Sequence, residues 1–296
     1  MFKAEGVIVA MVTPFKKGGE LDEVGLRRLV DYAAEKRVDG VLAAGTVGEF
    51  HSMTREERAR VFRVCVDQSN GRLPIYAGTG SVSTEEALAI SKEAEDAGVD
   101  AITVLTPYFV RLTDEELYQH YRKIAGSVNL PVAIYSNPQR TGVTVSPECL
   151  RRCARLGNVA AIKDSSGDVS ILQQYLKSAG KASVLVGRDG LILPALLLGA
   201  KGAVNAVGNV APELVVRLYG AVREGDYSKA RELQAKVSFL RQAMNVGSFP
   251  VAVKEAMNFL GLPGGYPRRP LLPLGEAQKK ALKKSLAEAG LRPRRG

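Results

Sequence analysis

The stretch that decides the fold is NVAAIKDS at residues 158–165, an apolar run that ends in Lys163. Its continuous hydrophobicity is typical of a strand in a parallel sheet that is covered by helices. A long cationic side chain is unfavourable at the end of such a strand, and its presence there indicates a functional role. Burial favours the neutral form of an amine, and a neutral lysine amine is the nucleophile that forms a Schiff base with a carbonyl substrate. The alternative is a lysine that reaches from the strand end into solvent.

Similar β-rich runs alternate with amphipathic stretches from the start of the chain to about residue 225. The predicted strands are residues 7–15, 40–46, 74–80, 101–107, 131–136, 159–165, 183–189 and 202–208. The helices between them have clear start signals, since Thr54, Ser83 and Thr113 each precede a glutamate by three residues, the spacing of a capping box. Eight strand–helix units predict an α/β fold, a closed (β/α)8 or TIM barrel.

A doubly wound sheet is the competing architecture. It would usually have fewer strands and a glycine-rich fingerprint for phosphate at its first turn. The nearest match here is GTGSVS at residues 78–83, which lacks the third glycine. The barrel is therefore the better prediction.

The pattern becomes purely helical after about residue 225. Residues 226–244, 250–260 and 275–289 have helical periodicity, and a Gly/Pro-rich link separates the last two. We therefore predict a catalytic barrel at residues 1–225 and a C-terminal helical subdomain at residues 226–296, packed on the barrel as an appendage.

Composition limits the class of protein. The chain has 296 residues, 46% of them hydrophobic and 24% charged, which is ordinary for a soluble globular protein. No apolar stretch approaches the roughly 20 residues that span a membrane, and the first residues lack the form of a secretory signal. Three scattered cysteines argue against a disulfide framework and fit a reducing compartment. We therefore expect a cytoplasmic protein.

The formal net charge of +10 raises the question of nucleic acid. The positive charge is spread over the helices, and its clusters lack interleaved aromatic residues. A solvated basic surface is the better interpretation, and it can help to attract an anionic small substrate. With two histidines in the chain, a Cys/His metal site is not expected.

The active site of such a barrel lies at the C-terminal ends of its strands. The second strand ends in GTVGE at residues 45–49, the fifth at Tyr135 and the sixth at Lys163. Side chains alternate along a strand, so small residues one layer below leave room for a ligand. An amine, a phenol, the hydroxyl of Thr46 and the guanidinium of Arg140 are the groups that a carbonyl-condensing enzyme needs. We therefore predict Lys163, Tyr135 and Thr46 as catalytic residues.

These motifs carry a family resemblance over nearly the whole chain. They are GTVGE at 45–49, YAGTG at 76–80, TPY at 106–108, Tyr135 with RTG at 140–142, AIKD at 161–164 and PVAVK at 250–254. The chain resembles the dihydrodipicolinate synthase/N-acetylneuraminate lyase family of pyruvate-dependent class I aldolases.

The resemblance implies that Lys163 forms a Schiff base with pyruvate and that Tyr135 relays protons. It also implies that the Thr46 hydroxyl and the backbone of the Thr46–Val47 turn hold the pyruvate carboxylate. Arg140 matches the arginine that binds the carboxylate of aspartate semialdehyde. Members of the family are commonly homotetramers and need no metal or organic cofactor. The resemblance also implies that pyruvate and an aldehyde are the partners of this chain.

Two residues depart from the pattern of the synthases. Val47 stands where a second threonine is usual, and Phe109 stands where a tyrosine is usually donated across a subunit interface to a proton relay. Asn205 on the eighth strand is a further candidate for the pocket, with a backbone-bonded barrel residue as the alternative. Asp164 should point away from Lys163 by alternation, so we do not assign it as a base.

Arg140 favours an enzyme that condenses pyruvate with aspartate semialdehyde to make a lysine precursor. Val47 and Phe109 favour an aldolase of 2-keto-3-deoxy sugar acids instead. A different class is a sugar-phosphate barrel enzyme that holds phosphate near GRDG at residues 187–190. A barrel kept only as a binding scaffold is the third alternative.

Overall fold

A closed barrel of eight parallel strands forms the centre of the chain, of which the computed structural model describes residues 3–293. The strands are β1 (Gly6–Ala10), β2 (Gly40–Ala43), β3 (Ile75–Gly78), β4 (Ala101–Leu105), β5 (Val132–Ser136), β6 (Val159–Asp164), β7 (Ser183–Val186) and β8 (Gly202–Asn205). Each strand pairs with the next, and β8 pairs with β1 to close the sheet. The predicted (β/α)8 barrel is confirmed.

Twelve α-helices lie within the described residues. They are α1 (Glu23–Glu35), α2 (Arg55–Ser69), α3 (Thr84–Asp96), α4 (Asp114–Ala125), α5 (Pro138–Thr141), α6 (Pro147–Cys153), α7 (Val169–Ser178), α8 (Ile192–Leu197), α9 (Pro212–Arg223), α10 (Tyr227–Ala243), α11 (Val251–Phe259) and α12 (Glu276–Glu288). None of the helices in residues 3–293 is both long and apolar enough to cross a membrane.

The predicted start signals begin real helices. Thr54 and Thr113 form complete capping boxes at α2 and α4, and the Ser83 side chain accepts a hydrogen bond from the N–H of Glu86 at the start of α3. Such caps satisfy N–H groups that have no partner inside the helix. They fix where each helix leaves the barrel rim.

Several strands end earlier than the sequence predicts. The run at residues 40–46 is a strand only to Ala43, because Ala44 has φ 47° and leaves the ladder. Residues 44–49 therefore form a loop at the C-terminal rim. Residues beyond the observed strand ends, such as Thr46, Ser165 and Gly187, line a cavity at this rim instead of extending the strands.

Helices α10–α12 follow the barrel as the predicted helical appendage. One continuous hydrophobic core includes barrel residues together with Leu240 of α10, Met257 of α11 and Leu282 of α12. The division at residue 225 stays a prediction, and the last three residues of the predicted subdomain lie outside the described part. The three cysteines, Cys65, Cys149 and Cys153, are buried free thiols.

Candidate active site

Lys163 and Tyr135 are neighbours in the barrel wall. The β5–β6 register pairs Tyr135 with Lys163, and Nζ of Lys163 lies 3.9 Å from the centroid of the tyrosine ring. Both side chains are buried. A cation this close to a phenol in a low-dielectric interior acts strongly on the phenol's proton.

The protonation of Tyr135 reflects two opposing effects. Burial alone would raise the pKa of its hydroxyl, but the charge of Lys163 and interactions with Thr46, Ser165 and Asn137 lower that pKa below its ordinary value. Asn137 Nδ2 donates a hydrogen bond of 2.9 Å to the tyrosine oxygen. A phenol with a lowered pKa is better suited to proton transfer near neutral pH.

Five of the predicted site residues surround one narrow cavity of about 60 Å³ at the C-terminal rim. They are Lys163, Tyr135, Thr46, Val47 and Arg140. A wider cavity of about 230 Å³ shares Thr46, Arg140 and Phe249 with it and is otherwise lined mainly by aromatic and apolar side chains. The arrangement offers a small inner space beside the lysine and a roomier outer space for a second reactant.

The Thr46–Val47 turn presents polar groups that lack a hydrogen-bond partner of normal geometry among residues 3–293. The Thr46 hydroxyl oxygen is buried and makes no hydrogen bond of normal geometry with any described residue. Within residues 3–293, the N–H groups of Thr46 and Val47 donate to no protein acceptor. A buried hydroxyl without a partner costs about 1–3 kcal/mol. Such a turn is suited to an anionic ligand, which would satisfy these donors.

A buried ion pair between Glu49 and Lys254 supports the Thr46–Val47 turn. Glu49, at the end of the loop with φ 56°, pairs its carboxylate with the ammonium of Lys254 from α11. Lys254 Nζ also donates to the Tyr266 carbonyl at 2.9 Å, and Glu49 accepts from the backbone N–H of Arg268 at 3.0 Å. Burial lowers the pKa of Lys254 to about 8, against the opposing effect of Glu49. The sequence motifs contained both residues, but no sequence signal joined them.

The outer rim is basic. Arg188 and Arg241 line the narrow cavity beside Arg140, and neither was assigned to the site from the sequence. The guanidinium carbons of Arg140 and Arg241 lie 4.9 and 5.0 Å from the centroid of the Phe249 ring. The only sequence signal for Arg188 was its place in the glycine-containing loop after β7.

The chain is similar to known proteins along nearly its whole length. The sequence profile of the dihydrodipicolinate synthetase family matches residues 3–289. The chain belongs to this family. The 4-hydroxy-tetrahydrodipicolinate synthase of Methanocaldococcus jannaschii is 39% identical over 98% of this chain and 100% of its own length. Membership confirms the predicted enzyme class, a lyase of the class I, Schiff-base aldolase type.

Solved structures of the dihydrodipicolinate synthetase family have the same fold. The dihydrodipicolinate synthase of Aquifex aeolicus superposes with a TM-score of 0.95 at 33% identity, covering 99% of this chain and 100% of that one. The chloride-inhibited synthase of Acinetobacter baumannii, solved with pyruvate, has a TM-score of 0.94 at 37% identity, covering 97% and 99%.

One residue predicted from the sequence is not brought to the cavity. Asn205 donates from Nδ2 to the Ile8 carbonyl at 3.1 Å and accepts at Oδ1 from the N–H of Gly208 at 2.7 Å. It joins β8 to β1 and the following turn, and it is absent from the residues that line the cavity. The structure therefore favours the backbone-bonded alternative, because both ends of the amide are already used.

Phe109, where the family's synthases usually have a tyrosine, lies outside the cavity of its own chain. Its side chain is 96% exposed, and its φ is +83°, a strained value for a residue other than glycine. Val47 does line the cavity and is buried, so its methyl groups replace the usual hydroxyl there. Among the described residues, no group of three or more His, Cys, Asp and Glu side chains is placed to hold a metal ion.

Proposed function

We propose that the chain is a 4-hydroxy-tetrahydrodipicolinate synthase, which condenses pyruvate with aspartate semialdehyde. The observation that carries the proposal is the amine of Lys163, buried 3.9 Å from the Tyr135 ring beside the unpartnered donors of the Thr46–Val47 turn. An amine nucleophile, a phenol and a carboxylate cradle are the groups required for Schiff-base chemistry on a 2-oxo acid. The names of the relatives support the choice of substrates.

The first step joins Lys163 to pyruvate. The pyruvate carboxylate accepts from the Thr46 hydroxyl and the N–H groups of Thr46 and Val47, which brings C2 to the amine. The neutral Nζ attacks C2 to form the C–N bond and passes one of its protons to the carbonyl oxygen, which leaves as water after it gains a second proton. Tyr135 supplies a proton to that oxygen, because its lowered pKa makes it a better acid than an ordinary tyrosine.

The second step forms the carbon–carbon bond. The protonated imine withdraws electrons from C3, so a C3 proton is lost to the Tyr135 oxygen and an enamine forms. The enamine carbon attacks the aldehyde carbon, whose oxygen takes up the proton. The amino group of aspartate semialdehyde can then displace Nζ from C2, which closes a ring and regenerates Lys163.

Arg140 binds the carboxylate of the aldehyde in this proposal. It belongs to both the narrow and the wide cavity, so its guanidinium stands between the lysine and the space for the second reactant. Charge-assisted and bidentate pairing with a carboxylate is the strong form of hydrogen bonding. Thr46, Val47 and Arg140 thus have binding roles, while Lys163 and Tyr135 carry the chemistry.

A second candidate is an aldolase of 2-keto-3-deoxy sugar acids. Val47 and the exposed Phe109 favour it, because neither provides the hydroxyl found in the usual synthases. Both candidates share the pyruvate step, so they differ only in the aldehyde. Mass spectrometry after incubation with pyruvate and borohydride tests the shared step. A panel of aldehydes, with pyruvate consumption and product mass as readouts, then decides between the two.

We also propose that the protein is a cytoplasmic homotetramer in lysine biosynthesis. The three free thiols fit a reducing compartment. The tip formed by Phe109 and Val110 supports self-association, because these apolar side chains are 96% and 60% exposed in a single chain. Light scattering on the purified protein measures the oligomeric state.

A further inference from the structure

Arg188 extends the site beyond the residues that the reaction itself needs. It follows Gly187, where a Cβ atom would lie 2.0 Å from Ser165 Oγ and 3.1 Å from Lys163 Cε. Only glycine fits at that position, so the loop passes close to the nucleophile. The loop thereby delivers the next side chain, Arg188, to the wall of the cavity.

The guanidinium of Arg188 is only partly satisfied by the protein. Its Nε donates to the Ser165 carbonyl at 2.9 Å, which fixes the plane of the group. Its Nη2 is buried and has no hydrogen-bond partner among the described residues. A guanidinium has five N–H donors in a fixed fork, and a buried donor without an acceptor is costly. An anion bound in the cavity would supply the acceptor that Nη2 lacks.

Arg241 reaches the same cavity from α10. It stacks on the Phe249 ring that Arg140 also touches, and its Nε lies 3.6 Å from Asp189 Oδ2. Asp189 Oδ1 accepts from the N–H groups of Ala206 at 3.0 Å and Val207 at 2.8 Å, so this carboxylate pairs with Arg241 through Oδ2 alone.

The charges around the cavity are unbalanced. Four basic side chains line it, and Asp189 is the one acid among its described lining residues. The pKa of Arg241 is lowered, first by burial and also by repulsion from Arg188 and Arg140, against the attraction of Asp189. Mutual repulsion among cations is relieved when an anion binds between them.

We propose that Arg188 and Arg241 act with Arg140 as an anion-recognition cluster that binds the distal acid group of the aldehyde, a carboxylate or a phosphate. The inference rests on the proposed function, since it concerns the second substrate of the same site. Arg188 and Arg241 are specificity residues here, and Lys163 still performs the chemistry. The cluster makes the enzyme select acidic aldehydes over neutral ones.

The test compares Arg188→Gln and Arg241→Gln with the native enzyme on three aldehydes, each with saturating pyruvate. The aldehydes are aspartate semialdehyde, glyceraldehyde 3-phosphate and glyceraldehyde, which carry a carboxylate, a phosphate and no charge. Loss of charged hydrogen bonds should raise KM for the preferred acidic aldehyde by ~10- to 100-fold. KM for glyceraldehyde should stay within about twofold, because it has no acid group for the cluster to bind. The aldehyde with the larger loss identifies the acid group.

Arg231→Gln is the matched control. Arg231 is an exposed residue of α10, the helix of Arg241, so its substitution removes the same charge away from the cavity. It should leave the preference for acidic aldehydes unchanged. Arg188→Lys, which keeps the charge but loses the fork, should give an intermediate KM. Arg188→Lys leaves the pair of Arg241 and Asp189 intact. It therefore still tests the cluster if Arg241→Gln fails to fold.

Borohydride trapping of pyruvate separates the possible failures. If native enzyme traps no pyruvate, the proposed function is wrong. If it traps pyruvate but prefers no acidic aldehyde, or if the Gln variants change KM equally for acidic and neutral aldehydes, the anion-recognition cluster is wrong while the Schiff-base function stands.

Discussion

Tyr135 and Lys163 occupy paired positions of neighbouring strands, and Nζ of Lys163 lies over the tyrosine ring at 3.9 Å from its centroid. The pairing is fixed by the β5–β6 hydrogen-bond ladder rather than by loops. The backbone positions that carry the nucleophile and the proton-transferring group are therefore fixed relative to each other. Rigid strand ends hold reacting groups more precisely than loops do.

Lys163 should carry the whole covalent intermediate. After incubation with pyruvate and borohydride, peptide mass spectrometry should place the adduct on Lys163 alone. Lys163→Arg should trap nothing, because a guanidinium stays protonated at any accessible pH. An adduct on Lys254, the other buried lysine of the structure, would refute the assignment.

Tyr135→Phe keeps the aromatic ring and removes the hydroxyl. Loss of general acid–base catalysis should lower kcat by about 100- to 10,000-fold. Borohydride trapping should slow but remain detectable, because Lys163 is intact. Near-normal turnover with a lower melting temperature would show instead that the hydroxyl only helps packing.

The pKa of Tyr135 should depend on Lys163. The lysine charge is the largest of the effects that lower this pKa, so Lys163→Met should raise it. The measurement is the phenolate absorbance during a pH titration, with Tyr135→Phe identifying the signal. Because the folded-state pKa is the lower one, the unfolded state holds more protons between that pKa and about 10. Stability from this group should therefore rise with pH across that window and be absent below it.

Much of the site was predictable because it lies at strand ends. Position in the barrel places Tyr135 and Lys163 next to each other once the two strands are recognised. The loop after β2 was harder to predict, because the left-handed φ of Ala44 ends the strand before Thr46. The sequence could not distinguish the two roles considered for Asn205, because a buried amide on a strand can hydrogen-bond the backbone as easily as it binds a ligand.

The sequence could not predict the basic rim or the Lys254–Glu49 pair, for a different reason. Their partners lie far apart along the chain, since Glu49 follows β2 and Lys254 belongs to α11. Nothing local marks Arg241 as a cavity residue, because α10 is amphipathic with many cations. Only the closed barrel and the packed appendage bring Arg241 to Arg188 and Arg140.

Lys254→Met should destabilise the protein strongly. It leaves the Glu49 carboxylate buried without its partner, and breaking a buried pair costs about 3–5 kcal/mol. It should also raise KM for pyruvate, because Glu49 anchors the loop that carries Thr46. Chemical denaturation and pyruvate kinetics measure the two effects.

Two further variants control that experiment. Lys284→Met removes an exposed lysine of α12 that pairs with Glu288, and it should barely change the denaturation midpoint, since exposed pairs contribute little. Adding Glu49→Gln to Lys254→Met should recover part of the stability, because the uncompensated charge is gone. A Lys254→Met protein as stable as the native one, with unchanged KM, would show that the pair supports neither the fold nor the turn.

Phe109→Tyr should raise synthase turnover, provided that this residue serves the site of another copy. In its own chain the ring is 96% exposed and does not line the cavity. A hydroxyl placed there can reach a proton relay only across an interface between subunits.

Phe109→Asp should weaken assembly, because it places a charge where an apolar tip is expected to be buried. Light scattering and steady-state kinetics on the same preparations would link the two effects. If Phe109→Asp assembles normally and Phe109→Tyr leaves turnover unchanged, the tip serves no neighbouring site, and the relay in this enzyme is completed without position 109.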